Sequence, residues 1–255
     1  MRPQEPPWRI ALLSGAILVL ELAFIRQIPA EVRAISYFTN LVLIAAFFGL
    51  GLGCLLQKGR SLSWLLPVGL LLVLAFVLRA RGIVIYDEAR VVHFWLQYEG
   101  EGGAPRMPLL AAALLAFAAV SLPFIALGQA LARRMDEHSR ITAYGCDIAG
   151  SLAGTVLFTV SALAGVPPWL WVVAVACTWA ALLDTVWTRR LVTAAAGAGF
   201  LCFAAPQMAG QWSPYYYVQH TRDPVGLRVF VNSSFHQLAV DFTATGDASA
   251  QQLMR

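Results

Sequence analysis

Long apolar runs alternate with short polar connections up to about residue 206, and a more polar segment follows them. A helix needs roughly 20 residues to cross the hydrocarbon of a bilayer, and most of these runs approach that length. The pattern therefore predicts about seven transmembrane helices, over the approximate spans 10–28, 38–57, 62–79, 108–132, 142–164, 168–187 and 191–205. Charged residues interrupt the first run, which favours a retained helix over a cleaved signal peptide.

The segment after residue 206 has a different sequence pattern, in which short runs of β-branched and aromatic residues are separated by turn residues. Such a pattern is typical of antiparallel strands joined by tight turns. The sequence therefore predicts an all-α membrane domain over 1–206 and a short β-hairpin or meander segment over 207–255. A meander of this size buries too little core to be stable alone.

Composition agrees with a membrane class. The chain is 59% hydrophobic and 13% charged, whereas soluble domains carry about 25% charged residues. The net charge of +4 comes from arginines in short loops beside apolar runs. There they act as topogenic charges and contacts to anionic lipid. We therefore expect a lipid bilayer as the main partner and no nucleic acid, and the charges leave the orientation in the membrane open.

Glycine spacing predicts close helix packing in two runs. The fifth run repeats small residues every four positions, at Cys146, Gly150 and Gly154, which lets another backbone approach closely. The second run contains the string Gly49-Leu50-Gly51-Leu52-Gly53. That string has no strand before it, so helix packing is favoured over a nucleotide-binding loop. The four cysteines lie in separate runs without paired spacing, which indicates small buried hydrophobic residues and no metal site.

The intramembrane polar residues are the candidates for function within the helices. An ionised carboxylate in hydrocarbon costs several kcal/mol unless it is paired or faces water. We therefore expect Glu21 to form an inter-helix ion pair or to lie in a polar pocket, with a transport or proton-relay role as the alternative. Arg26 lies too far round the helix to pair comfortably with Glu21. Asp147 is either a polar helix entry or a functional carboxylate, and Tyr144, three residues earlier, is a candidate donor to it.

Several fragments resemble one family, the membrane-anchored spermidine synthase-like proteins, in which a multi-helix membrane domain precedes a polyamine aminopropyltransferase fold. The resemblance lies in the order and spacing of the fragments, which cover nearly the whole chain. They are Gly15 through Glu21 to Arg26, the string Phe48 to Gly53, the string Ala143 to Gly150, Trp212-Ser213-Pro214-Tyr215, and Val231-Asn232 through His236-Gln237.

The resemblance implies a transferase of polyamine biosynthesis in a bacterial inner (plasma) membrane, with decarboxylated S-adenosylmethionine as co-substrate and no cofactor in this chain. It carries Gln237, Tyr215 and Tyr216 over as substrate-binding candidates, although Tyr216 stands where the family has a glutamine. It assigns no catalytic residue, because the family's Gly-rich loop and acidic residues do not occur in the sequence. The expectation is thus a truncated chain whose missing partner is a C-terminal Rossmann-like domain, with a polyamine as the implied substrate.

A different class of function stays open beside this one. Glu21 and Asp147 are also the residues expected of a membrane transporter or binding module whose cavity takes a small cationic solute. The sequence leaves open whether the chain forms a homo-oligomer. The two classes differ in one respect that can be checked, because only the aminopropyltransferase requires a nucleotide-binding domain after the β-rich segment.

Overall fold

The computed structural model describes residues 5–32, 35, 38–80, 84–86, 106–182, 210–223, 226–232 and 234–240, with single helical residues at 187, 190, 191, 194 and 199. These residues form a helical bundle with a small antiparallel sheet near its C-terminal end. The coarse prediction of a helical domain followed by a β-rich segment is therefore confirmed.

Six helices lie in the described part of the chain. They are α1 (Trp8–Glu31), α2 (Thr39–Leu55), α3 (Leu65–Ala80), α4 (Leu109–Asp136), α5 (Arg140–Leu163) and α6 (Pro168–Leu182). Only α1, α4 and α5 are long and apolar enough to cross a membrane, since the others have 17 residues or fewer. The prediction of about seven spanning helices is thus not met in this part, and the predicted run 191–205 lies almost wholly outside it.

A buried glutamine on α4 holds the connection between α2 and α3. The Nε2 atom of Gln129 donates to the carbonyl oxygens of Leu56 and Arg60, at 2.8 and 2.9 Å, and its Oε1 accepts from the Leu62 amide at 2.8 Å. Arg133, one turn later, donates to two further carbonyls of the same loop. Gln129 and Arg133 thereby supply hydrogen-bond partners to backbone groups that the end of α2 and the start of α3 leave unpaired.

The first described residue, Glu5, lies at this same end of the bundle. Glu5 pairs with Arg9 at 2.9 Å and with Arg134 at 3.0 Å, and His138 contacts the carbonyl oxygens of Glu5 and Arg134. We call this end, with the α2–α3 and α4–α5 connections, the polar end. Because α1 and α5 both begin here, they run parallel to each other.

Close backbone contacts join α2 to α4. A Cβ atom at Gly53 would lie 2.7 Å from the amide nitrogen of Gln129, and one at Gly128 would lie 2.9 Å from the Cα of Leu50. Gly49 meets the carbonyl of Ser121 in the same way. The predicted packing role of the glycine string is therefore confirmed at its two ends. Its central residue, Gly51, has no atom of another element within 4 Å among the described residues.

The predicted packing face on α5 is also confirmed. Gly150 and Gly154 lie against α1, where a Cβ on Gly154 would come within 2.6 Å of the Gly15 carbonyl oxygen. Gly150 meets the backbone of Ala11 even more closely. Most of α5 is exposed on the surface of the bundle: only 17% of the residues in its most apolar 18-residue stretch are buried. The cysteine prediction fails at Cys54 and Cys177, which are exposed.

Four antiparallel strands form the sheet, in the order β3 (Gly210–Trp212), β4 (Tyr217–Asp223), β5 (Gly226–Val231) and β6 (Ser234–Val240). The turn from β5 to β6 contains Asn232, whose φ of 50° lies in the left-handed region that asparagine tolerates. A separate parallel pair, β1 (Val84–Tyr86) with β2 (Arg106–Pro108), precedes α4. Most of the long connection between these two strands lies outside the described residues.

Candidate functional site

The predicted site residues lie in three places in the structure. Glu21 and Arg26 are on α1, Tyr144 and Asp147 are on α5, and Tyr215, Tyr216 and Gln237 belong to the sheet region. The helices that carry the first two groups, α1 and α5, pack against each other, and of these four residues Asp147 makes a side-chain contact across that interface. The third lies at the opposite end of α1 from the polar end.

Asp147 is held by a serine of the neighbouring helix. The Oγ atom of Ser14 donates to Asp147 Oδ1 at 2.5 Å. Ser14 Oγ also lies 2.8 Å from the Oγ atom of Ser151. The glycines beside these residues bring α1 and α5 close enough for such short side chains to meet. Hydrogen bonds to a charged acceptor contribute about 1.5–3 kcal/mol. The structure therefore assigns the carboxylate a role in helix association.

The predicted hydrogen bond from Tyr144 to Asp147 is not formed. Tyr144 is 60% exposed on the outer surface of α5. The two residues are three positions apart, but Asp147 turns towards Ser14 across the helix contact. Sequence spacing alone favoured the intrahelical donor, whereas the tertiary contact supplies a different one.

Glu21 is buried in the bundle, with 5% of its surface exposed. It follows Ser14 by seven residues and so lies on the same face of α1, about two turns nearer the sheet. Its side chain therefore lies inside the bundle, away from the outer surface of the helices. No described residue forms a hydrogen bond or an ion pair with the Glu21 side chain. The predicted partner on another helix is therefore not found in the described part of the chain.

Arg26 connects α1 to the sheet. Its Nη2 atom donates to the carbonyl oxygen of Ser213, and its guanidinium lies 4.9 Å from the centre of the Trp212 ring. Trp212 is buried together with Tyr217 and Ala30, and the two aromatic rings are 5.1 Å apart. A guanidinium over an indole face contributes about 0.5–2 kcal/mol, more when desolvated. Arg26 thus anchors the β3–β4 turn on the end of the first helix.

Ser213 organises that turn from within. Its Oγ atom accepts from the amide of Tyr216 at 2.9 Å and contacts the carbonyl oxygen of the same residue at 2.9 Å. The side chains of Tyr215 and Tyr216 are left outside, 79% and 53% exposed, with ring centres 6.4 Å apart. Their exposure makes the pair accessible to a ligand or to another domain.

Gln237 lies elsewhere on the sheet. It pairs with Val229 on β5, which pairs in turn with His220 on β4. With strands about 4.8 Å apart and a rise of about 3.3 Å per residue, the backbones of Gln237 and Tyr216 are about 16 Å apart. The structure therefore does not bring the three substrate-binding candidates together into one compact pocket.

The decisive polar contacts are made by residues that no motif in the sequence marks. Ser14, Ser151 and Gln129 look like ordinary small or helix-tolerated residues within apolar runs. Gln27 is another, 3% exposed, with its Nε2 atom 3.1 Å from Glu31 Oε1. A usable signal existed, since an uncharged amide in a spanning run must also find hydrogen-bond partners.

Comparison with known proteins adds no relative: no protein-family model, curated protein or solved structure matches this chain.

Proposed function

We propose that the chain is the membrane domain and β-linker of a spermidine synthase-like aminopropyltransferase. The observation that carries the proposal is the four-stranded antiparallel sheet, which forms at the residues that resemble the family's N-terminal β-region. The sheet follows a helical bundle, as the resemblance implies. Arg26, within a fragment that carries the resemblance, fixes the sheet to the bundle.

In this proposal the helices are an anchor and the sheet is one wall of a substrate site. The reaction implied by the family forms a bond between an amine nitrogen of a polyamine and the carbon next to the sulfonium of decarboxylated S-adenosylmethionine. The carbon–sulfur bond breaks, methylthioadenosine leaves, and the amine loses a proton. Such a reaction depends mainly on orientation and on deprotonation of the amine. The exposed Tyr215, Tyr216 and Gln237 are the residues available to contact substrate from the sheet.

A second candidate function rests on Glu21. A buried carboxylate with no partner among the described residues is what a binding module or transporter for a small cationic solute requires. Asp147 does not share this role, because its side chain already accepts a hydrogen bond from Ser14. Putrescine binding to the purified chain that disappears in Glu21→Gln would favour this function.

The enzymatic proposal is tested by its product. The 255-residue chain, incubated with decarboxylated S-adenosylmethionine and putrescine, is expected to form no methylthioadenosine, because one wall cannot hold donor and amine at reacting distance. A chain extended along its native reading frame is expected to form it. The proposal fails if that frame encodes no strand followed by a Gly-rich loop, or if the extended chain is inactive while it binds both substrates.

A further inference from the structure

The sheet rests on two elements of the bundle, at the end opposite the polar end. On the first of them, α1, Arg26 donates to the carbonyl oxygen of Ser213 and lies over the ring of Trp212. The turn from α5 to α6 is the second support, because a Cβ atom added at Gly165 would lie 3.0 Å from the carbonyl oxygen of Trp212. The β3–β4 turn, residues 213–216, is therefore held at a fixed level along the helices.

That level matches the thickness of a bilayer. Trp8 and Trp64 lie at the polar end, 56% and 49% exposed, and tryptophan is enriched at membrane–water interfaces. A helix that rises about 1.5 Å per residue crosses roughly 30 Å of hydrocarbon in about 20 residues. Counted along α1 from Trp8, the second interface falls at Ile28, which lies between the two residues of α1 that contact Trp212. The β3–β4 turn is therefore at the level of the lipid headgroups.

Aromatic side chains are exposed at this end of the sheet. The β3–β4 turn presents the two exposed tyrosines, Tyr215 and Tyr216. Phe235, 59% exposed, lies beside the β5–β6 turn, which Asn232 joins to the start of β4 by two hydrogen bonds. A tyrosine ring has an apolar body and a polar tip, which suits the boundary between hydrocarbon and water. The sheet thus carries, where it meets the bundle, the side chains that are enriched at such a boundary.

We propose that the β3–β4 turn is a lipid anchor, in which Tyr215 and Tyr216 lie among the headgroups of the bilayer surface opposite the polar end. The inference rests on the proposed membrane domain and goes beyond it, because it names the surface that the sheet contacts. Lipid headgroups are the partner that fits, since they surround the exposed helices at the level of the turn. The anchor holds the sheet at the membrane surface and leaves Gln237, about 16 Å away, as the candidate contact to substrate.

Fluorescence at single positions tests the anchor. A fluorescent amino acid that absorbs at longer wavelength than tryptophan replaces Tyr215, Arg222 or Leu152, one at a time, in the full chain in phosphatidylcholine vesicles. All three side chains are exposed, so each replacement is expected to leave the fold intact. Arg222 is the matched control, because it lies on β4 about 20 Å along the strand from Tyr216. Leu152 lies in the middle of the spanning helix α5 and reports on the hydrocarbon.

Quenchers placed at known depths give the readout. A nitroxide on the lipid headgroup is expected to remove most of the emission of the label that replaces Tyr215 and little of that at Arg222. Iodide in the water is expected to quench the Arg222 label more strongly, and a nitroxide near the end of the acyl chain should quench the Leu152 label most. The anchor is overturned if headgroup quenching is equal at Tyr215 and Arg222 while the Leu152 label is quenched from the acyl chain. Stronger quenching of the Tyr215 label from the acyl chain than from the headgroup also overturns it. A Leu152 label that the acyl-chain nitroxide does not quench would instead refute the proposed membrane domain, and the anchor with it.

Discussion

The contact between α1 and α5 allows a substitution whose effect can be worked out in advance, Gly150→Ala. The added Cβ would lie 2.6 Å from the carbonyl carbon and from the Cα of Ala11, where ordinary contacts are 3.4–4 Å. These atoms belong to backbone, so no side-chain rotation relieves the overlap. The helices must separate by roughly 0.8 Å or more, the difference between 2.6 and 3.4 Å, which costs about 1–3 kcal/mol as overpacking.

Separation also affects the polar contact one turn away. The hydrogen bond from Ser14 to Asp147 is 2.5 Å long and crosses the same helix pair. Its loss would add about 1.5–3 kcal/mol, since the acceptor is a carboxylate. Against this, alanine is favoured over glycine within a helix by about 1 kcal/mol. The expected net loss of stability is about 3 kcal/mol, and Gly150→Leu should lose more.

Gly145→Ala is the matched control. It lies on the same helix, and no atom of another element is within 4 Å of its added Cβ in the described structure. Thermal unfolding in detergent, followed by tryptophan emission, should leave its midpoint unchanged or slightly raised. The Gly150→Ala midpoint should fall by about 10 °C, at roughly 2–4 °C per kcal/mol for a chain of this size. Midpoints of the two variants that agree within about 1 °C would refute the packing argument.

Two further predictions concern side chains that tie segments to the bundle. Gln129→Leu removes three hydrogen bonds to the α2–α3 connection and should lower stability by about 2 kcal/mol, because water replaces them only in part. Gln57→Leu, in the same connection, should change little, and equal unfolding midpoints would contradict the role of Gln129. Arg26→Met should release the β3–β4 turn from α1, seen as faster proteolysis and amide exchange of the sheet with the helices unchanged. Arg222→Met on exposed β4 is its control, and equal protection of the sheet in both variants would count against the anchor.

Most helix positions followed from the sequence. The runs predicted over 38–57, 62–79, 108–132 and 142–164 correspond to α2, α3, α4 and α5 within a few residues at each end. Hydropathy determines such segments because every backbone group in a long apolar run must be paired within its own helix. The strands after residue 206 were also indicated, since β-branched residues and turn residues act locally. In the described part of the chain fewer helices are long enough to span a membrane than hydropathy predicted, because hydropathy does not show where a helix ends.

Which polar groups meet was a matter for the tertiary structure. Ser14 is 133 residues from Asp147 and Arg26 is 187 residues from Ser213, so no local pattern could join them. Tyr144 was the nearest donor along the chain, but Ser14 replaced it because the glycines brought α1 against α5. Local sequence determined the elements because their hydrogen bonds are internal, whereas side-chain partners depend on how those elements pack.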